Sequence, residues 1–221
     1  MEVKLIKGGT FQMDYENGTY DKKPGHLVTL SDFYMGTFEV TQSVWEKIMN
    51  NNPSFFKGVN KPVECVNIQN IDNFIHKLNL QTGKNYRLPT EAEWEYSALG
   101  GNLSKGYKYA GSNILEDVAW NYSNSNNQTQ PVGTKQPNEL GLYDISGNVY
   151  ERCSDYYGLY DNKAQINPIG ALYNRPPRYV MRGGCYNLFE EQKFHSTSRA
   201  GFHVDPYTCY KRIGFRLAHS S

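Results

Sequence analysis

Helical periodicity in this chain stops near residue 100, and that break constrains the fold more than any other feature. Three helix signals precede it. Thr41 caps a run whose apolar positions are Val44, Trp45, Ile48 and Met49. Ile71, Phe74, Ile75 and Leu78 keep the i, i+3, i+4, i+7 spacing, with Ile68 one turn earlier and Gly83 as the stop. Thr90 and Glu93 form a capping box after Leu88-Pro89, which starts a third helix with Trp94 and Ala98 on its buried face. Glu91, Glu93 and Glu95 read there as carboxylates favoured by the positive end of the helix dipole. Strand signals are short: 3–13 with a bend at Gly8-Gly9, 27–30, 33–40, 63–66, the region of Pro131-Val132, 179–182 and 213–217. No repeat or linker interrupts the chain, so residues 1–221 read as a single α+β domain. More than half of it is loop, and 123–130 is a polar stretch. Loops of that extent need bound metal or a function to account for them.

Composition narrows the function classes. The net charge is +1, so nothing pulls the chain towards nucleic acid or an anionic membrane. No apolar run is long enough to span a bilayer directly. Tyr is unusually common, at 18 residues, and Tyr is enriched at binding surfaces. Cys65, Cys153, Cys185 and Cys209 form no C-x-x-C pair and no zinc spacing, and read as small buried or half-buried thiols. The start, Met1-Glu2-Val3-Lys4, has no signal pattern, which leaves a cytosolic protein or an exported one whose signal was removed.

Six segments, in order, carry a resemblance. They are 8–13, Phe38-Glu39-Val40-Thr41 with Trp45, 86–95, 141–151, Arg182-Gly183-Gly184 and Gly214-Phe215-Arg216-Leu217. Together they resemble the formylglycine-generating-enzyme and sulfatase-modifying-factor family. The resemblance implies a C-type lectin-like fold of that family's type: a small antiparallel sheet, two or three helices and extensive loops. Family enzymes oxidise a substrate cysteine with copper held by two cysteines beyond the Arg-Gly-Gly motif. Leu188 and Lys193 stand at those positions, and neither supplies a thiolate, so no redox cofactor is expected. Another subgroup needs three converging histidines. His26, His76, His195, His203 and His219 are scattered through the sequence.

The segment between Arg182-Gly183-Gly184 and 213–217 resembles the variable region of diversity-generating-retroelement variable proteins, in which the same fold is a scaffold for recognition. The resemblance implies a ligand-binding region over 185–212, facing a protein or surface-glycan ligand, on a protein displayed at the cell surface. The candidate binding residues are Cys185, Tyr186, Asn187, Leu188, Phe189, His195, Thr197, Ser198, Phe202, His203, Val204, Asp205, Tyr207, Thr208, Cys209 and Tyr210. From Asn187 onward all are permitted products of adenine-directed mutagenesis of Asn-type codons. Glu190, Glu191, Gln192, Lys193 and Lys211 are not. Two readings stand for the aromatics here. They show no 2.0 or 3.6 period, as an exposed patch would not, yet irregular segments also supply core rings. Val180, Phe215 and Leu217, with Tyr179, are expected in the core of the flanking strands.

Asp144, Gly147, Val149 and Glu151 resemble the family's structural calcium loop, two acidic side chains with two main-chain carbonyls. Calcium, or magnesium, prefers such an oxygen shell. The alternative is that Asp144 makes turn hydrogen bonds and Glu151 is a solvated acid.

Overall fold

The structure, a computed structural model, describes residues 1–13, 25–171, 178–203 and 208–221. The first sheet closes the two ends of the chain on each other. Strand β1 (Val3–Ile6) and the last strand, β11 (Ala218–Ser220), flank β4 (Phe33–Gly36), and β5 (Tyr86–Arg87) lies beyond β11. A second sheet has the order β10 (Ile213–Gly214), β6 (Tyr150–Tyr156), β8 (Tyr179–Arg182), β9 (Arg199–Phe202). The third joins β2 (Gly9–Met13), β3 (His26–Leu30) and β7 (Gln165–Ile166). The single small antiparallel sheet of the sequence reading is thus three sheets, and β10–β6 and β3–β7 pair in parallel. The bend between β1 and β2 requires glycine, because a Cβ on Gly8 would lie 2.2 Å from the Leu30 carbonyl oxygen.

The three early helices form where their caps place them. Thr41 caps α1 (Gln42–Met49), accepting from the Val44 N–H. Asn67 and Asn70 cap α2 (Ile68–Thr82) reciprocally, and Gly83 ends it at φ 68°. Trp45 of α1 stacks on Phe74 of α2 at 5.0 Å, and both meet the edge or face of Phe215. Truncating any of these rings should cost about 3 to 5 kcal/mol. A short fourth helix, α4 (Leu115–Val118), follows.

Helix α3 (Glu91–Ala98) starts at the expected Thr90 capping box, but it buries all eight residues and not only the face of Trp94 and Ala98. Glu93 does cap: it accepts from the Thr90 N–H at 2.9 Å and takes Arg87 in a two-pronged pair. Glu91 and Glu95 do not cap. Arg182 of β8 donates to Glu91 at 2.9 Å and to Glu95 at 2.6 Å, while Arg199 of β9 grips both Glu91 oxygens at 2.8 and 2.7 Å. Two carboxylates and two guanidinium groups thus balance inside the fold, joining α3 to the second sheet. Pairing of this kind is what makes buried charge tolerable.

Other strand expectations shift. The 63–66 segment and Pro131-Val132 are in no strand, although Val63 N–H reaches the Val40 carbonyl and Val132 N–H that of Asn60. Of 213–217 only Ile213–Gly214 is strand; Phe215 and Leu217 are buried, and their carbonyls accept from Val40 and Gly36. The loops after residue 100 are ordered from within by polar side chains. Buried Asn138 donates to the Ser97 carbonyl at 2.7 Å and accepts from the Leu140 and Leu142 N–H groups. Ser125, fully buried, donates to the Tyr186 carbonyl at 2.8 Å.

Asp155 of β6 offers a measurable consequence. It is buried, and its Oδ2 accepts from the Glu91 N–H and the Ser154 hydroxyl. Burial and, after it, the charge of Glu91 push its carboxyl up to about 7. The unfolded chain releases this proton first, so the contribution is full below the ordinary carboxylate range and is lost as pH rises through about 7. Asp155→Asn should therefore gain on the parent by up to about 4 kcal/mol between pH 4 and pH 8 in urea unfolding. A pH-independent difference would remove this account of Asp155.

Candidate functional site

Two places carry the candidate residues. The first is an acidic centre beneath the second sheet. Glu151 of β6 is fully buried, and both its oxygens are occupied: Arg216 donates through Nε at 2.6 Å and Nη2 at 2.5 Å, and Trp94 Nε1 donates at 2.7 Å. Arg216 also binds the Gly36 and Tyr143 carbonyls at 3.0 and 2.8 Å. Asp144, at φ 56°, accepts from the Gly133 N–H through Oδ2. Its Oδ1 is sealed from solvent with no partner. Glu39 accepts from the Asn148 amide and the Val149 N–H. Gly147 needs its φ of 94° and its missing Cβ, which would stand 2.6 Å from the Trp120 carbonyl oxygen.

Three buried carboxylates here face one guanidinium. Burial first, then the charges of Asp144 and Glu151, hold the Glu39 carboxyl well above its usual range, and burial raises Asp144 to about 6. The surplus negative charge and the orphaned Asp144 oxygen fit a hard cation. In the expected quartet of Asp144, Gly147, Val149 and Glu151, Asp144 offers the unpartnered oxygen, and Glu151 is engaged within the protein. Both its oxygens serve Arg216 and Trp94, and it is no solvated acid. Glu39, which the sequence reading did not single out, is the carboxylate added by the fold. Its signal was present in Phe38-Glu39-Val40-Thr41, where an acid interrupts apolar residues.

The second place is the outer face of the second sheet, with the segment 185–203 and 208–212. Phe189 is 75% exposed and meets Tyr122 edge-on at 6.3 Å. His203, Thr208 and Cys209 are exposed; Asn187, Leu188, His195, Thr197, Phe202 and Tyr210 are half-buried. Phe202 leans edge-on to Tyr150 at 5.3 Å, and Leu188, Phe202 and Tyr210 pack against Tyr150, Met181, Cys185 and Ile213. Both readings of these aromatics thus hold in part: the rings have one side in the core and one in solvent.

Three candidates are corrected outright. Cys185 is fully buried with its thiol on Asn187, Tyr186 is 4% exposed against the Phe56 ring, and Ser198 is buried with its carbonyl accepting from Arg182. None offers a side chain to a ligand, because each lies beneath the segment rather than on it. Val204, Asp205 and Tyr207 lie outside the described residues. Cys209 is disulfide-bonded to Cys65, so two of the expected thiols are a cross-link, while Cys153 and Cys185 are free and buried. A separation of 144 residues gave no hint of that pair.

Sequence reasoning also missed neighbours outside the segment. Phe55 is 56% exposed with Lys211 Nζ 3.3 Å from its ring centre, and Tyr122 is exposed beside Phe189. Beneath the sheet face, Arg152 lies 3.6 Å from the Tyr179 ring, with Nε and Nη2 lacking hydrogen-bond partners. Tyr179 itself is half-buried, while Val180, Phe215 and Leu217 are in the core.

Glu151→Ala should destabilise by about 3 to 5 kcal/mol, since it strands a buried guanidinium. The loss should be the same with and without a chelator, because Glu151 serves Arg216. A loss that disappears in chelator would return Glu151 to the metal.

The model of the sulfatase-modifying factor enzyme 1-like domain family matches residues 1–221. A curated relative, the chaperone protein LppX of Paenibacillus barcinonensis, is 37% identical over 71% of this chain and 72% of its own length. The formylglycine-generating enzyme of Mus musculus is 27% identical over 96% of this chain and 73% of its own. The chain spans 34% of the chlamydial serine/threonine-protein kinases that it also matches. Among solved structures, Treponema denticola variable protein 1 superposes with a TM-score of 0.88 at 29% identity, covering 99% of this chain and 95% of that one. No helix among the described residues is long and apolar enough to cross a membrane.

Proposed function

The chain belongs to the sulfatase-modifying factor enzyme 1-like domain family, and from that premise we propose that it is a non-catalytic recognition protein. It presents the segment 185–212 at the cell surface to a protein or surface-glycan ligand. The observation that carries the reading is the near-complete superposition on Treponema denticola variable protein 1. The site agrees with it. Leu188 and Lys193, by residue type, supply no pair of thiolates. Exposed Phe189, Tyr122 and Phe55 supply the large rings that dominate interfaces. The relative named as a chaperone also has a binding role in its name.

The test needs no ligand. Phe189, His203 and Thr208, exposed positions of the segment outside the disulfide, are diversified together in a display library, and folded clones are counted by protease resistance. Most clones should survive, because solvent-facing positions usually change stability by about 0.5 kcal/mol or less. The same diversification at Val180, Phe215 and Leu217 should abolish resistance. Equal losses in both libraries would make the segment core and end the recognition reading. In a second arm the chain is incubated with copper and a cysteine-bearing sulfatase peptide. The peptide mass should stay unchanged, and an aldehyde product would establish the enzyme reading instead.

The reading includes a calcium ion held against Asp144. Excess calcium should raise the unfolding free energy by about 2.7 kcal/mol at a hundredfold over its dissociation constant. Asp144→Asn should abolish the rise. Identical midpoints for the parent in calcium and in chelator would remove the ion.

A further inference from the structure

Glu64, Cys65 and Cys209 meet where the 63–66 loop touches the segment after residue 207. A carboxylate oxygen of Glu64 and the two sulfur atoms lie within 4.8 Å of one another. Glu64 is fully buried. Its Oε1 accepts from the Phe56 N–H at 2.8 Å, and its Oε2 is sealed without a partner. Cys65 stands at φ 60°, a conformation that costs a side-chain-bearing residue about 1 to 3 kcal/mol unless its surroundings hold it. Cys65 N–H donates to the Tyr210 carbonyl, which fixes the two segments side by side.

We propose that Glu64, Cys65 and Cys209 form a zinc site that takes the place of the disulfide when the chain is reduced. Two thiolates and one carboxylate are zinc ligands, and three protein ligands leave a fourth position for water. Calcium and magnesium avoid sulfur, so this site and the Asp144 centre select different cations. The chemistry balances with a dithiol as reductant. Its two electrons break the Cys65–Cys209 bond, its two protons go to the sulfurs, and it becomes a disulfide itself. Zinc then displaces both protons as it binds the thiolates. Cys153 and Cys185 do not compete, because burial raises both thiols, Cys185 to about 12. In either state Cys65 and Cys209 stay joined, so the tether between the two segments survives a change of redox state.

The whole chain is reduced with dithiol, desalted without oxygen and titrated with cobalt(II) as a spectroscopic stand-in, then with zinc. The reduced parent should take up one cobalt with a thiolate-to-metal charge-transfer band that zinc bleaches; the oxidised parent should show no band. Cys209→Ser should lose the band. Glu64→Gln keeps both cysteines and the disulfide-bonded fold, monitored by near-ultraviolet circular dichroism, and should bind at least about tenfold more weakly when reduced. No band in the reduced parent, a band retained in Cys209→Ser, or unchanged affinity in Glu64→Gln would each overturn the site.

Discussion

The pair between Arg216 and Glu151 is the contact on which most of this fold depends. Arg216 lies two residues before the last strand, and Glu151 is the second residue of the longest described strand of the second sheet. Their bonding draws in Gly36 from the first sheet, Tyr143 from a loop and Trp94 from α3. A guanidinium has five donors in a rigid fork, so one side chain reaches several backbones that no apolar residue could orient. The two-arginine, two-glutamate cluster around Glu91 repeats the device between α3 and the edge of the second sheet. The interior of this protein is cross-linked by charge as well as filled by rings.

That arrangement explains how so much loop holds its shape. Two apolar clusters gather around the early helices and the sheets and a smaller one around Tyr109, Leu115, Val118, Ala119 and Phe194, while the loops after residue 100 also lean on buried asparagine and serine side chains. Each such side chain satisfies backbone groups that would otherwise be buried without partners. A scaffold built this way leaves its outer segment with little structural duty beyond its half-buried rings. Phe189 projects into solvent, while Tyr186 and Cys185, three and four residues away, anchor the segment from below.

The acidic centre shows where local reading stops. Asp144 and Glu151 were legible as an oxygen-ligand motif, but their spacing says nothing about which neighbours claim their oxygens. Arg216 and Trp94 arrive from 65 and 57 residues away and take Glu151. Glu39 arrives from 109 residues away, through Asn148. The same limit applies to Glu91 and Glu95. Placed in the first turns of a helix they read as dipole partners, and only the distant arginines turn them inward.

What the sequence determined by itself is what short range can encode. The caps at Thr41 and Thr90, the stop at Gly83, the bend at Gly8 and the apolar spacing of α2 each act within a few residues, and each stands where it was expected. The ordered motifs were enough for the family and its fold. The tertiary structure alone decided the strand β6, whose alternation is hidden because both of its faces are buried and charged residues sit inside. It alone joined Cys65 to Cys209, turned Glu151 to Arg216, and brought Phe55 and Tyr122 onto exposed surface around the candidate segment. These are contacts between residues far apart in the chain, and their partners are chosen by packing and by the need to pair buried charge, neither of which has a period in sequence.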